Sequence, residues 1–284
     1  MRIDRQTLRS VIPCVALLAA TPSLAQLAKD PIDPAPTAAD WQAIARLPDW
    51  SGTWSPDIVD QNAQIQTNPT PWKPEIQKQV DHWNAEEKAG RPKGLLIDCL
   101  PHGMPTFILI THNALEFLIS PGRVTILGES DGNRLRRIYT DARPMPDDPD
   151  PSFHGYSVGH WEGDTLVVNT KGILPQAYLA VSEAVGIPNN GDMTVKERIH
   201  LTNPDTLVFE LEITAPNILT RPWKTTRIYH RKRQRSHEIL EGVCRQGDFH
   251  DATDKWGNAI FEPTRQDGAG NILPPAATEN EAKP

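Results

Sequence analysis

From Thr106 onward the chain alternates apolar and polar positions with a period of two, in short runs broken by turn residues. The runs fall at 107–110, 116–119, 123–129, 135–140, 156–161, 165–170, 194–201, 206–214, 223–230 and 237–244. Period two is the side-chain alternation of a half-buried strand. Ser120-Pro121-Gly122, Ser130-Asp131-Gly132-Asn133, Trp161-Glu162-Gly163-Asp164 and Asn203-Pro204-Asp205 have hairpin chemistry and leave no room for crossover helices. The pattern predicts an all-β fold with minor α content, an antiparallel meander closed into a barrel so that no edge stays unpaired. An open two-sheet sandwich is the alternative. Upstream, Ile76, Val80 and Trp83 repeat at helical spacing and Gly90 follows, which predicts a helix over 74–89, with a shorter one over 38–46.

Composition narrows the class. With 284 residues, 38% of them apolar, the chain is too long for a disulfide-stapled miniprotein and too apolar for a disordered one, and its net charge of -7 argues against a nucleic-acid surface. Arg2, Arg5 and Arg9 precede an apolar run from Val11 to Ala20, and Ser23-Leu24-Ala25 is a small-x-small site. Residues 1–25 therefore read as a cleavable signal peptide, too short in its apolar part to span a bilayer, and the protein is expected in the periplasm or secreted. No Cys follows the cleavage site, so no lipid anchor is expected. The expected organisation is a flexible N-terminal segment over 26–47, one barrel domain over 48–250, and a loosely ordered tail over 251–284. Outside the signal segment, Cys99 and Cys244 either pair in the oxidising compartment or remain two buried thiols.

Strand parity sorts the polar residues by face. In the hairpin 155–170, a turn at Glu162-Gly163 opposes His160 to Thr165, so Tyr156, His160, Thr165 and Asn169 share one face and Ser157, Trp161, Leu166 and Val168 the other. The first face either lines a polar pocket or is a solvated outer surface. Glu197 falls on the apolar stripe of Val195, Ile199 and Leu201, where a carboxylate must be paired or hydrogen-bonded. Glu241 repeats the case between Ile239 and Val243. Arg227 alternates with Trp223, Thr225 and Tyr229, and Arg137 lies with Leu135, Tyr139 and Asp141. Together these give a polar network inside apolar walls, serving either a substrate or only the core.

Other signals fail on context. Gly155-Tyr156-Ser157-Val158-Gly159 matches the serine-hydrolase string, but that nucleophile needs a strand, a sharp turn and a helix, and a hairpin follows here. His154 and His160 have no third ligand nearby, and no zinc, calcium-loop or dinucleotide motif occurs, so no metal and no cofactor are expected.

The strings Asp98-Cys99-Leu100-Pro101-His102-Gly103-Met104-Pro105, Arg137-Ile138-Tyr139-Thr140-Asp141-Ala142-Arg143-Pro144, the run 155–168 (GYSVGHWEGDTLVV), Glu197-Arg198 and Thr220-Arg221-Pro222-Trp223 resemble a large group of secreted bacterial β-proteins, mostly uncharacterised, over roughly residues 48–246. Ala142 and Tyr156 depart from that pattern, where Gly and His are usual. Asp49-Trp50-Ser51-Gly52-Thr53-Trp54 resembles the opening of lipocalin-type barrels, so the barrel is expected to be lipocalin-like. The group is similar in turn to phenylcoumaran γ-formaldehyde lyases of lignin breakdown. That resemblance implies a cofactor-independent carbon–carbon lyase that eliminates formaldehyde from a bulky aromatic dimer to leave a stilbene. Such chemistry needs a base for the γ-hydroxyl proton and an acid or cation at the departing phenoxide. Glu197 or His160 are the candidate bases, and Tyr156 or Tyr139 with Arg137 the candidate acid and oxyanion stabiliser. Asp141, Trp223, Met104, His154 and Asn169 are the candidate substrate-binding residues. The alternatives are a periplasmic lipocalin-like carrier of a hydrophobic small molecule, and a hydrolase acting through Ser157. The expected partner is a small aromatic molecule, with no nucleic acid and with self-association as a homo-oligomer left open.

Overall fold

In the inward-facing rows Val124-Ile126, Leu166-Val168-Thr170, Val195-Glu197-Ile199 and Leu207-Phe209-Leu211-Ile213 nearly every side chain is withdrawn from solvent, and the intervening residues face out. The computed structural model that shows this describes residues 33–89, 101–110, 113–180, 186–241, 249–253 and 259–263. Its elements belong to one compact unit, Pro36–Pro284. In chain order they are α1 (Ala38–Ile44), β1 (Thr53–Pro56), α2 (Ile58–Thr67), α3 (Pro74–Lys88), α4 (Thr106–Leu109), β2 (Leu115–Ser120), β3 (Arg123–Gly128), α5 (Ser130–Asn133), β4 (Leu135–Tyr139), β5 (Tyr156–Glu162), β6 (Thr165–Lys171), β7 (Tyr178–Ala180), β8 (Gly186–Pro188), β9 (Thr194–Asn203), β10 (Thr206–Thr214), β11 (Trp223–Lys232), β12 (Phe249–Thr253) and β13 (Ala259–Pro263).

Nine strands close a barrel in the order β1-β11-β10-β9-β6-β5-β4-β3-β2. The all-β barrel with a few short helices is thus present. Closure falls to β1, where Trp54 lies opposite both Arg231 of β11 and Leu115 of β2. Trp54 is fully buried, its indole N–H donating to the Trp50 carbonyl at 3.0 Å while the Arg231 guanidinium stacks 4.6 Å from its ring. The ribbons β7-β8 and β12-β13 stand apart from the barrel's ladder.

The meander is not wholly antiparallel. β4 and β5 run parallel, pairing Ile138 with Ser157 and Tyr139 with Val158, so residues 140–155 form a crossover. The β5–β6 turn lies at Gly163-Asp164, one residue later than expected, opposing Glu162 to Thr165 and His160 to Val167. The cross-strand partners thus shift by two residues, which leaves every face assignment unchanged because the side-chain period is two. The run 107–110, read as a strand, is instead the helix α4, and 237–241 is not a strand, which leaves Glu241 exposed in a loop. Short apolar runs carry no periodicity that separates a strand from a helix buried on all sides. The helix α2 was not expected. Asp57 caps it by accepting from the Asp60 N–H at 3.0 Å. Cys99, Cys244 and the expected signal peptide lie outside the described residues.

The helix α4 fills the barrel. Met104, Phe107, Ile108 and Leu109 are each at most 2% exposed and join the strands' inward side chains in one hydrophobic cluster. Burial of each such side chain contributes roughly 1.5–3 kcal/mol. A one-turn helix leaves its carbonyls without intrahelical partners, and here side chains supply them. Asn113 donates to Phe107 O at 2.7 Å, Tyr229 to Ile108 O at 3.1 Å, and Arg227 Nε to Leu109 O at 3.4 Å, with Gln61 Nε2 donating to the same oxygen. At the other end Thr106 Oγ1 donates to Tyr178 O at 2.5 Å and accepts from the Ala180 N–H at 3.1 Å.

Gly128 makes room for this plug, since a Cβ there would overlap the Phe107 ring and stand 2.8 Å from Asn113 Oδ1. Gly128→Ala is expected to lower unfolding free energy by about 1–3 kcal/mol, the usual cost of overpacking. Gly163→Ala, where only the positive φ of 59° is strained, should cost about 1 kcal/mol. Urea midpoints for the two variants check the order, and an equal or reversed order would contradict the plug.

Candidate binding site

Glu197 points inward as its strand position predicts, and it is sealed there. Arg136, the second residue of β4, grips both carboxylate oxygens, with Nη1 2.9 Å from Oε1 and Nη2 on Oε2, and both side chains are fully withdrawn from solvent. Arg136 Nη2 also donates to Thr170 Oγ1 at 3.1 Å and to Ser157 Oγ at 3.3 Å, and these two hydroxyls lie 2.8 Å apart. Ser157 therefore sits mid-strand, bonded to an arginine and a threonine, with no histidine to activate it and no turn to expose it.

Arg137 does not take part. On β4 the inward residues are Arg136 and Ile138, and Leu135, Arg137 and Tyr139 face out, opposite to the sequence reading. The string Leu-Arg-Arg-Ile-Tyr has an arginine on both faces, and the apolar count favours the wrong one. Pairing of Ile138 with Ser157 decides it, because that places Ile138 in the core.

The other proposed catalytic side chains share the outer surface. The Tyr139 and Tyr156 rings lie 5.1 Å apart, and the Arg143 guanidinium stacks 3.9 Å from the centre of Tyr139. Asp141 is held by Arg143, whose hydrogen bonds keep its carboxyl below the usual carboxylate range. His160 is exposed and bonds Glu162 at 3.1 Å, while Glu162 also pairs with Arg198 at 2.9 Å. Asn169 is exposed as well. Glu197 is thus cut off by the barrel wall from Arg137, Tyr139, Tyr156 and His160, which lie on its outer face, where His160 is engaged by Glu162. Met104 belongs to the plug. His154 lies behind it, edge-on to Phe107 at 4.9 Å, with both ring nitrogens shielded from solvent and without hydrogen-bond partners. Burial, reinforced by Arg136, Arg134 and His102, pulls its imidazole down to about pH 3.

Trp223 alone of the proposed residues borders a cavity with aromatic walls. A space of about 240 Å³ lies at one mouth of the barrel, lined by Trp72, Trp223, Arg227, Val80, Gln64 and Asn68 among others. The helix α2 closes one side because Gln64 Oε1 accepts from Thr225 Oγ1 at 3.0 Å and from the Thr226 N–H at 3.2 Å, and Asn68 Nδ2 donates to Lys224 O at 2.7 Å. The α2–α3 connection closes another, with Lys73 N–H donating to Ile218 O and Thr220 N–H to Pro71 O, each at 2.9 Å. Among the described residues the buried Trp223 indole N–H has no hydrogen-bond partner. A second depression, of about 530 Å³, lies on the outer face of β6, β9, β10 and β11 and includes Asn169. Its lysines and arginine oppose Glu210 and Glu212 across strands, as in the 3.3 Å pair Lys224–Glu212. That is the charge alternation of a solvated face.

No family model and no curated protein matches the chain, so the site rests on geometry. Sequence reasoning missed Arg136, Trp72, Gln61 and Gln64. The missed helix α2 hid both glutamines, although Asp57 followed three residues later by Asp60 resembles a helix start. Among the described residues no group of three His, Cys, Asp or Glu side chains is arranged to hold a metal ion.

Two outcomes follow from the interior. Glu197→Gln, which strands the Arg136 charge, should cost about 3–5 kcal/mol of stability, whereas the double variant Glu197→Leu/Arg136→Met should recover most of it. Denaturant unfolding of the single and double variants gives the coupling. His154 stays neutral in the fold and accepts a proton when unfolded, so its contribution is complete above about pH 6.5 and drains away toward pH 3, by at most about 1.4 kcal/mol per pH unit. His154→Phe should flatten the pH dependence of stability in that window, and an unchanged slope would count against the burial of its ring nitrogens.

Proposed function

We propose that this chain is an exported binding protein for a small aromatic molecule, held at the barrel mouth rather than in the barrel's interior. The observation that carries this reading is the cavity walled by Trp72 and Trp223. An apolar cavity of about 150 Å³ is enough to take benzene. A space of about 240 Å³ accordingly suits one substituted ring, and it falls below the roughly 300–1,000 Å³ of sites that hold larger ligands. A two-ring lignin dimer therefore fits it poorly.

Binding is favoured over turnover by the lining itself. Beside the tryptophans and aliphatic groups stand amides, a threonine and one guanidinium, and the described lining residues include no carboxyl, imidazole or thiol to exchange a proton at the ligand. A formaldehyde-eliminating lyase needs a base and an acid at the same carbon framework. Glu197 has its carboxylate gripped by Arg136, and Tyr156 and His160 stand on the opposite side of the wall. The export assumption comes from the N-terminal arginines, apolar run and small-x-small site.

Tryptophan-fluorescence titration of the purified protein with single-ring aromatics is the direct test. One site with a dissociation constant between about 1 μM and 1 mM is expected, weakened about tenfold or more in Trp223→Leu. Incubation with a phenylcoumaran dimer should release no formaldehyde. Formaldehyde release that survives Trp223→Leu and disappears in Tyr156→Phe, a position on the outer face, would replace this reading with the lyase.

A further inference from the structure

Two inward-facing guanidinium groups of the barrel are treated differently. Arg136 has a carboxylate on both of its Nη atoms. Arg227, only 3% exposed, has none among the described residues. Its hydrogen bonds go to neutral acceptors, with Nη1 on Thr226 O at 2.6 Å, Thr225 Oγ1 at 2.9 Å and Gln64 Oε1 at 3.5 Å, and Nε on Leu109 O. Nη2 makes no hydrogen bond among the described residues. Asp60, the nearby acid, makes no salt bridge to Arg227 and accepts instead from Gln64 Nε2 at 2.6 Å. Burial draws the Arg227 guanidinium down to about 10, which still leaves it cationic near neutral pH.

A buried cation without a counter-ion is costly unless something of opposite charge joins it. Arg227 is also part of the lining of the mouth cavity, beside Trp72 and Trp223. Resting on the binding reading above, we infer that the ligand is an aromatic carboxylate, its ring against the two tryptophans and its carboxylate taking the counter-ion position at Arg227. A planar guanidinium matches a carboxylate with parallel hydrogen bonds, and such a charge-assisted pair discriminates against an uncharged analogue. The unpartnered Trp223 indole N–H offers a further donor for an anion.

Benzoate and benzamide have the same ring and nearly the same shape, so isothermal titration of the full chain with each separates charge from ring recognition. Benzoate is expected to bind at least about tenfold more tightly than benzamide. In Arg227→Gln that ratio should fall to within about threefold, and Arg227→Lys should restore part of it. If Arg227→Gln fails to fold, salt still decides on the native protein. Raising sodium chloride from 50 mM to 500 mM should weaken benzoate and leave benzamide unaffected. Equal affinities for the two ligands would overturn the carboxylate assignment while leaving the aromatic site intact. Binding of neither, with other single-ring aromatics equally silent, would overturn the site itself.

Discussion

The plug of the barrel by α4 is the constraint on which the rest depends. Here the chain folds a segment of itself against the barrel's inward side chains, in one buried cluster with them. The cost of doing so is a set of helix carbonyls buried where water cannot reach them. Asn113, Tyr229, Arg227 and Gln61 donate to those carbonyls, and the helix α2 is anchored over the mouth partly because its glutamine serves this purpose. Of the polar residues that read along the sequence as an interior network, Arg227 and Tyr229 cap an internal helix, whereas Glu197 pairs with Arg136. Burial drives the Tyr229 phenol well above its ordinary range, which keeps it protonated and able to donate.

The same constraint explains where a ligand site is left. With the interior occupied, the space available is at the end of the barrel, where the plug stops and the α2–α3 connection arches across β11. Its walls come from elements far apart in sequence, Trp72 before α3 and Trp223 at the start of β11, brought together by the bridge between Trp72 and Leu219. Arg227 belongs to both systems. Its Nε donates to Leu109 O at the plug, and the same side chain lines the cavity.

Much of the barrel was legible because period two survives errors of register. β2, β3, β5, β6, β9, β10 and β11 fall within a residue or two of their expected bounds, and Glu197, Arg227, Trp223 and Tyr229 point inward as their parity requires. What was not legible depended on long-range pairing. Arg136 and Arg137 occupy opposite faces of one strand, and the pairing of that strand with β3 and β5 tells which is buried. Phe107–Leu109 is apolar on every side, so no periodicity marks it as helix. The cavity was legible only in Trp223, because Trp72 sits in a Pro- and Thr-rich connection with no pattern of its own.

The most direct measurement is a two-dimensional NMR titration of the isotope-labelled protein with benzoate, following the tryptophan indole N–H signals and the backbone amides of α4. The account predicts shifts at the Trp72 and Trp223 indoles and at the Gln64 side-chain amide, with the Trp54 indole and the amides of Phe107 and Ile108 unmoved. Shifts concentrated on Phe107, Ile108 and the strand positions around Glu197 would mean that ligand enters the barrel and displaces the plug, and would contradict it.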